Sequence, residues 1–358
     1  MATTMREVAA AAGVSIATVS YVVNNTKPVT PETRRRIEQA MADLGFRRNL
    51  LARALASRRT RLLALVCPFF EDRLALTIRD FIIGAARAAN DADHHMVIWP
   101  VSNHGTELAE LMSQKLVDGV VLMAVQMDDP RVEQLRAADM PFALIGRTRD
   151  VTGLHWIDID LDETVRIAMD YLLELGHTKI TFINGSQDHE DWAGFGPYVR
   201  SELAYRGLAA AHGLEPVILR CTDQRPAGRD AIAEMMEVAP DTTAIIVMDE
   251  TAAPGVVAEL SRRGKSVPRD ISVVSMLSSI EAALLCNPPL TTVTAPGTEL
   301  GRLGIEALLA QLNGLPDPTP RLRTGELVVG ESTAPPRPAR RRRTPHVSRP
   351  GVGPGRAS

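Results

Sequence analysis

At 358 residues the chain has room for a small N-terminal module and a larger body, and a composition 45% hydrophobic and 23% charged is that of a globular protein. The net charge of −3 hides an asymmetry: residues 1–60 carry +6 and residues 332–358 carry +7, which leaves −16 for 61–331. Cys67, Cys221 and Cys286 show no pairing or zinc-ligand spacing, no apolar run reaches membrane-spanning length, and the start has no signal-peptide pattern, so the expectation is a cytoplasmic protein with reduced thiols, no metal and no cofactor.

In chain order, Thr4-Met5-Arg6-Glu7 has the form of a capping box, and Met5, Val8, Ala9 and Ala12 recur at helical spacing up to Gly13. Ser15 caps a second helix. Two helices joined by so short a glycine-containing turn form a helix-turn-helix, whose second helix enters the major groove of double-stranded DNA. On it, Val19 and Val22 face inward, whereas Ile16, Ala17, Ser20, Tyr21 and Asn24 project outward. Thr18 and Ser20 offer hydroxyls to phosphates or base edges, and Ile16 and Ala17 can pack on a thymine methyl. With Thr4 and Ser15 at the two helix starts, these are the DNA-facing candidates. A third helix begins at Thr30-Pro31, with Ile37, Met41 and Leu44 closing a small core and Arg34-Arg35-Arg36 read as a solvated face.

Glu7-Val8-Ala9, Ala12-Gly13-Val14-Ser15, Ala17-Thr18-Val19-Ser20, Asn24-Asn25 and Leu44-Gly45-Phe46 together resemble the lactose-repressor (LacI/GalR) family. The resemblance continues through Asn49, Ala52, Arg53, Ala54, Leu55 and Ala56, which look like the family hinge helix; it implies that Leu55 is the wedge that enters the minor groove. Such a wedge costs a few kcal/mol of unstacking, least at a flexible pyrimidine-purine step. The other reading of Leu55 is an ordinary apolar linker residue. Tyr21 stands where the family often has arginine, so bidentate guanine recognition cannot be made from that position. Arg48 replaces a common proline and leaves the approach to the hinge less rigid.

From Leu62 onward, strand-like segments (62–67, 96–101, 119–123, 179–184, 244–248) alternate with amphipathic helical ones (78–90, 108–116, 202–212), with a pause at 157–161. Such alternation predicts two parallel-sheet lobes flanked by helices. Leu172 to His177, Val267 to Val274 and Pro288 to Val293 resemble the family's effector domain, which implies a periplasmic-binding-protein type I fold with crossings near 157–161, 289–293 and 319–323. The fold class is thus an all-α reader (1–48), a hinge and linker (49–60), an α/β two-lobed body (61–331) and a disordered Arg/Pro-rich tail (332–358).

Ligands of open parallel sheets lie at the carboxyl ends of the strands. The cleft candidates are Phe69, Phe70, Arg73, Met123, Arg147, Trp192, Arg200, Asp249 and Ser275; Arg147 and Arg200 could hold an anion and Trp192 could stack. The aromatic and Met residues have core packing as their other reading, and Asp249 could instead cap the helix that starts near Thr251. Asp158 and Asp160 share one face of their strand, with a helix cap as one role for Asp160. Against the family pattern, several polar positions are lost: Met248 precedes Asp249, Ser275-Met276-Leu277-Ser278 replaces a glycine-aromatic-aspartate-aspartate stretch, and Ala295 replaces a polar residue. A common hexose or purine is therefore disfavoured, because each buried unpaired polar group costs about 1 to 3 kcal/mol.

Asp188-His189-Glu190-Asp191 reads as a solvated loop, since four adjacent residues do not converge on one ion. No nucleophile elbow, P-loop or dinucleotide fingerprint is present, which argues against an enzyme. The expected protein is a homodimeric repressor of a pseudopalindromic operator, controlled by a small-molecule effector of unknown identity. The alternative is a DNA-binding regulator whose cleft is vestigial.

Overall fold

The computed structural model describes residues 3–24, 27–46, 59–68, 76–187, 192–221, 228–248, 250–316 and 321–338. The chain forms two units, the first running through Leu62 with Lys115–Asp118, the second comprising the rest.

In the first unit, α1 (Met5–Ala12), α2 (Ile16–Asn24) and α3 (Pro31–Asp43) enclose Val8, Ala9, Ala12, Val19, Val22, Val23, Ile37 and Ala40. The Thr4 hydroxyl accepts from Glu7 N while Glu7 Oε2 accepts from Thr4 N at 2.7 Å, which completes the capping box. Thr30 caps α3 with Pro31 in the first turn, where no amide is needed. Two sequence expectations change. Leu44 is 39% exposed, because α3 ends in a Schellman turn: Gly45 is left-handed, Phe46 N donates to Met41 O at 2.8 Å, and Phe46 takes the core place expected of Leu44. Arg36 is more than solvated surface, since its Nη2 donates to Ala12 O (2.8 Å) and Gly13 O (3.3 Å) at the end of α1.

The second unit holds two six-stranded sheets with the orders β11-β5-β4-β3-β1-β2 and β12-β10-β9-β8-β6-β7. The first uses β1 (Leu62–Cys67), β2 (His95–Pro100), β3 (Gly119–Leu122), β4 (Phe142–Ile145), β5 (Trp156–Ile159) and β11 (Leu322–Arg323). The second uses β6 (Ile180–Gly185), β7 (Val217–Cys221), β8 (Ala244–Val247), β9 (Ser272–Ser278), β10 (Thr291–Thr294) and β12 (Leu327–Val328). Pairings along β11-β5-β4-β3-β1 and β10-β9-β8-β6-β7 are parallel, and β12 runs antiparallel to its neighbour β10.

Parallel strands covered on both faces read as continuous apolar runs. Phe182, Ile246 and Val274 pack on one side of the second sheet with α7 (Leu161–Glu174) and α8 (Gly196–Ala211); Ile183, Ile245 and Val273 pack on the other with α9 (Arg229–Val238) and α10 (Ala253–Arg262). The first sheet buries Leu63, Leu65, Val121 and Ala143 under α4 (Leu76–Asp91) and α12 (Gly297–Leu312). These two helices cross at glycine: a Cβ on Gly84 would lie 2.0 Å from Thr298 O, and one on Gly301 would lie 2.1 Å from Phe81 O.

The chain crosses between lobes three times. The first crossing falls at Asp160, within the expected span, where Asp160 caps α7 by accepting from Glu163 N. The second lies between β10 and α12, at residues 295–296, because 291–294 are paired strand; the third lies between β11 and β12, at 324–326, because 322–323 pair with β5. The boundary expected at 331 also moves. Ser332 is fully buried, its hydroxyl donating to Val273 O and accepting from Thr291 N, and Ala334 O lies 2.9 Å from His177 Nε2. Residues through 338 therefore belong to the second lobe; the arginine run beyond lies outside the described residues. All three cysteines are free and buried, and burial pushes the Cys67 thiol up to about 11. No single helix among the described residues is long and apolar enough to cross a membrane.

Candidate functional site

Two surfaces are candidates for function, one in each unit. In the reader, Ser15 Oγ accepts from Thr18 N at 3.1 Å and lies 2.8 Å from Thr18 Oγ1, so these hydroxyls fix the start of α2. That leaves Ile16 and Ala17 exposed at the first turn, where a recognition helix meets base edges. Ser20 and Tyr21 are half-buried, and Lys27 Nζ sits 5.1 Å from the centre of the Tyr21 ring. The Thr4 hydroxyl is held by its capping box at the start of α1. Asn24 ends α2, while Asn49, Ala52, Leu55 and Ala56 lie outside the described residues.

The second surface is a cavity of about 240 Å³ between the lobes of the body. Met123 and Trp192 line it, as the carboxyl-end rule predicts for residues past β3 and β6. Phe69, Phe70, Arg73 and Asp249 lie outside the described residues. Ser275 is fully buried within β9, its hydroxyl without a hydrogen-bond partner, and does not reach the cavity. Arg147 and Arg200 are not lining residues either. Arg200 Nη2 donates to Asp158 Oδ2 at 2.9 Å, Arg147 Nε lies 3.4 Å from the same oxygen, and Arg200 Nη1 donates to Arg147 O at 2.9 Å. The anion these arginines hold is thus Asp158, a cavity-lining residue of the chain itself.

Two further connections join the lobes across the cavity. Gln126 and Phe195 form an antiparallel bridge, flanked by Met127 N donating to Gly194 O (2.7 Å) and Gly196 N donating to Val125 O (3.0 Å). The bridging loop is braced by the fully buried Asp129–Arg131 pair, 2.7 Å apart. In the second connection, Glu250 Oε1 accepts from Thr77 N (2.9 Å) and Oε2 from Thr77 Oγ1 (2.8 Å) and Ser279 N (3.0 Å). Asp249, the acid of this loop named from the sequence, lies outside the described residues, and Glu250 was not among the candidates; its position one residue further past β8 was the signal for it. Phe195 and Tyr198 were not among the candidates either; they pack with Trp192 at centroid distances of 5.1 and 5.7 Å, and with each other at 4.8 Å, to form an aromatic wall.

The family described as bacterial regulatory proteins, lacI family, matches residues 4–49, and a periplasmic binding protein-like domain matches residues 169–333. The HTH-type transcriptional regulator CelR of Thermobifida fusca is 31% identical over 323 residues, covering 87% of this chain and 92% of the relative. MalR of Streptomyces coelicolor is 29% identical over 344 residues, covering 93% and 97%. Among solved structures, a CelR–cellobiose complex shares a TM-score of 0.68 at 28% identity, over 92% of this chain and 99% of that one. The lac repressor dimer bound to operator and an anti-inducer shares the fold, with a TM-score of 0.78 at 23% identity over 93% and 100%. With its reader matched from residue 4, its body matched to residue 333 and CelR aligned along 92% of its own length, the chain belongs to the lacI family and is a DNA-binding transcriptional regulator.

Proposed function

We propose that this regulator is a cytoplasmic homodimeric repressor of a pseudopalindromic operator, and that a small molecule in the interlobe cavity sets its operator affinity. The observation that carries the reading is the placement of the interlobe links. Arg200–Asp158, Thr77–Glu250 and the Gln126–Phe195 bridge all border one cavity, so an occupant of that cavity acts on the contacts that hold the lobes together. A ligand shifts such an equilibrium only by its differential affinity for the two arrangements. The same observation favours a working cleft over a vestigial one.

Base contact is assigned to Ile16, Ala17, Ser20, Tyr21 and Asn24, phosphate contact to Thr4, Ser15 and Thr18, and the hinge wedge to Leu55 within Asn49, Ala52 and Ala56. Within the cavity, Met123 and Trp192 keep their ligand role and Asp158 and Glu250 join them. Support for a second copy comes from Ile280, Leu284 and Leu285 on and beside α11 (Ile280–Leu284), which are 47, 63 and 78% exposed in a single chain. The similar structures, a lac repressor dimer on operator and a CelR complex with cellobiose, support the kinds of partner.

Selection of binding sites from randomised duplex DNA by the full-length protein, at near-physiological salt, tests the proposal. The expected winner is a pseudopalindrome with a central pyrimidine-purine step, bound at least about a thousandfold tighter than scrambled DNA. Salt-sensitive binding without sequence preference would overturn the reading.

A further inference from the structure

We propose that the interlobe cavity takes a compact organic cation, an apolar or aromatic body carrying one ammonium group, with Glu250 as its counter-ion. The proposal rests on the effector reading above and names the class of effector.

Glu250 lines the cavity and is only 8% exposed. Its hydrogen-bond donors are Thr77 N, Thr77 Oγ1, Ser279 N and, at 3.4 Å, Ser278 Oγ, all of them neutral. Among the described residues no guanidinium or ammonium pairs with it. A carboxylate offers about four lone-pair sites, and Oε1 uses one, on Thr77 N. A buried carboxylate satisfied only by neutral donors keeps its charge uncompensated, and a cation brought by the ligand supplies the missing partner.

The walls favour the same class. Phe81, Trp192, Phe195 and Tyr198 surround the space with ring surfaces, and ring faces attract ammonium groups as well as apolar bodies. An anionic ligand would meet Glu250 and Asp158, while Arg147 and Arg200 are spent on Asp158 and stay outside the lining. A saccharide would need several polar partners, and besides the two carboxylates the lining offers the hydroxyls of Thr77, Thr251 and Tyr198; that of Thr77 already faces Glu250 and Leu277 O. Because Thr77 begins in one lobe and Glu250 in the other, a cation at Glu250 also sits on an interlobe contact.

The test is calorimetric titration of the full-length protein with tryptamine, with 3-indolepropionate of similar shape and opposite charge, and with cellobiose. Tryptamine is expected to bind at least about tenfold tighter than the acid, a ratio that Glu250→Gln reduces to about threefold or less. The wild-type comparison stands even where the variant fails to fold. Equal or tighter binding of 3-indolepropionate, an unchanged ratio in Glu250→Gln, or no binding of tryptamine would overturn the cation. If cellobiose or the acid binds instead and shifts operator affinity, the cation fails while the effector reading survives. If a broad metabolite panel neither binds nor shifts operator affinity, both fail.

Discussion

Arg200 and Asp158 sit in different lobes and share a buried ion pair, with Arg147 as a second, longer partner on the same oxygen. Burial pushes the Asp158 carboxyl up, against the pull of Arg200, and burial pulls the Arg200 guanidinium down. Ions in this setting are tolerable together and costly apart. Asp158→Asn leaves two guanidinium groups without their anion and should cost about 3 to 5 kcal/mol. Arg200→Met should cost less, because Arg147 still faces the carboxylate. Urea unfolding of both variants decides the matter, and equal losses would show that Arg147 contributes nothing.

His177 should give the fold a pH dependence. Its Nε2 donates to Ala334 O, its Nδ1 lies 2.9 Å from Thr243 Oγ1, and burial holds its pKa below the ordinary 6.5. The folded state therefore favours the neutral ring, and the unfolded chain takes up the proton first. Stability present above about pH 6.5 should fall as pH drops toward the lower folded value, then level off. Thermal melts of wild type and His177→Gln between pH 7.5 and about 5 should converge toward the acid end. A gap that stays constant would remove His177 as the cause.

At Gly301 a single methyl group has no room. Gly301→Ala would push a carbon against the Phe81 carbonyl, so the α4–α12 crossing must open, at about 1 to 3 kcal/mol. Differential scanning calorimetry should show the loss in the body and leave operator contacts of the reader unchanged. Wild-type stability in this variant would mean that the two helices shift apart freely.

Tyr21 should read a base. Tyr21→Ala is expected to cost about 1 to 3 kcal/mol at one position of each half-site. Lys27→Met, which removes the cation over the Tyr21 ring, should weaken binding to all sequences with a smaller change at that position. A uniform loss on operator and scrambled DNA with Tyr21→Ala would refute base reading.

What could be read before folding was local. The capping box of Thr4 and Glu7, the Ser15 cap and the Thr30-Pro31 start each depend on residues within three positions, and all stand in the structure. Strands buried on both faces announce themselves as apolar runs, as at Leu62–Cys67 and Ala244–Val247. What escaped depends on long-range placement. Leu44 and Phe46 are both apolar, and only the left-handed Gly45 decides which turns inward. Arg147 and Arg200 look like anion holders in sequence, and only the meeting of β5 with α8 supplies Asp158 as their anion. Glu250 gains its meaning from Thr77, 173 positions earlier.

The return of α12 to the first lobe also orders events at the ribosome. Helix α4 ends at Asp91 and its packing partner begins only at Gly297, a gap of roughly 200 residues that takes on the order of 10 to 40 s to synthesise at about 5 to 20 residues per second. During that interval the side of α4 that packs on α12 lacks its partner, while all residues of the three-helix reader's own core lie within the first 46 and are already synthesised. Nascent chains of this protein are therefore expected to hold all of the three-helix reader while the first lobe still lacks Leu300 and Leu303, the partners of Phe81 in its core.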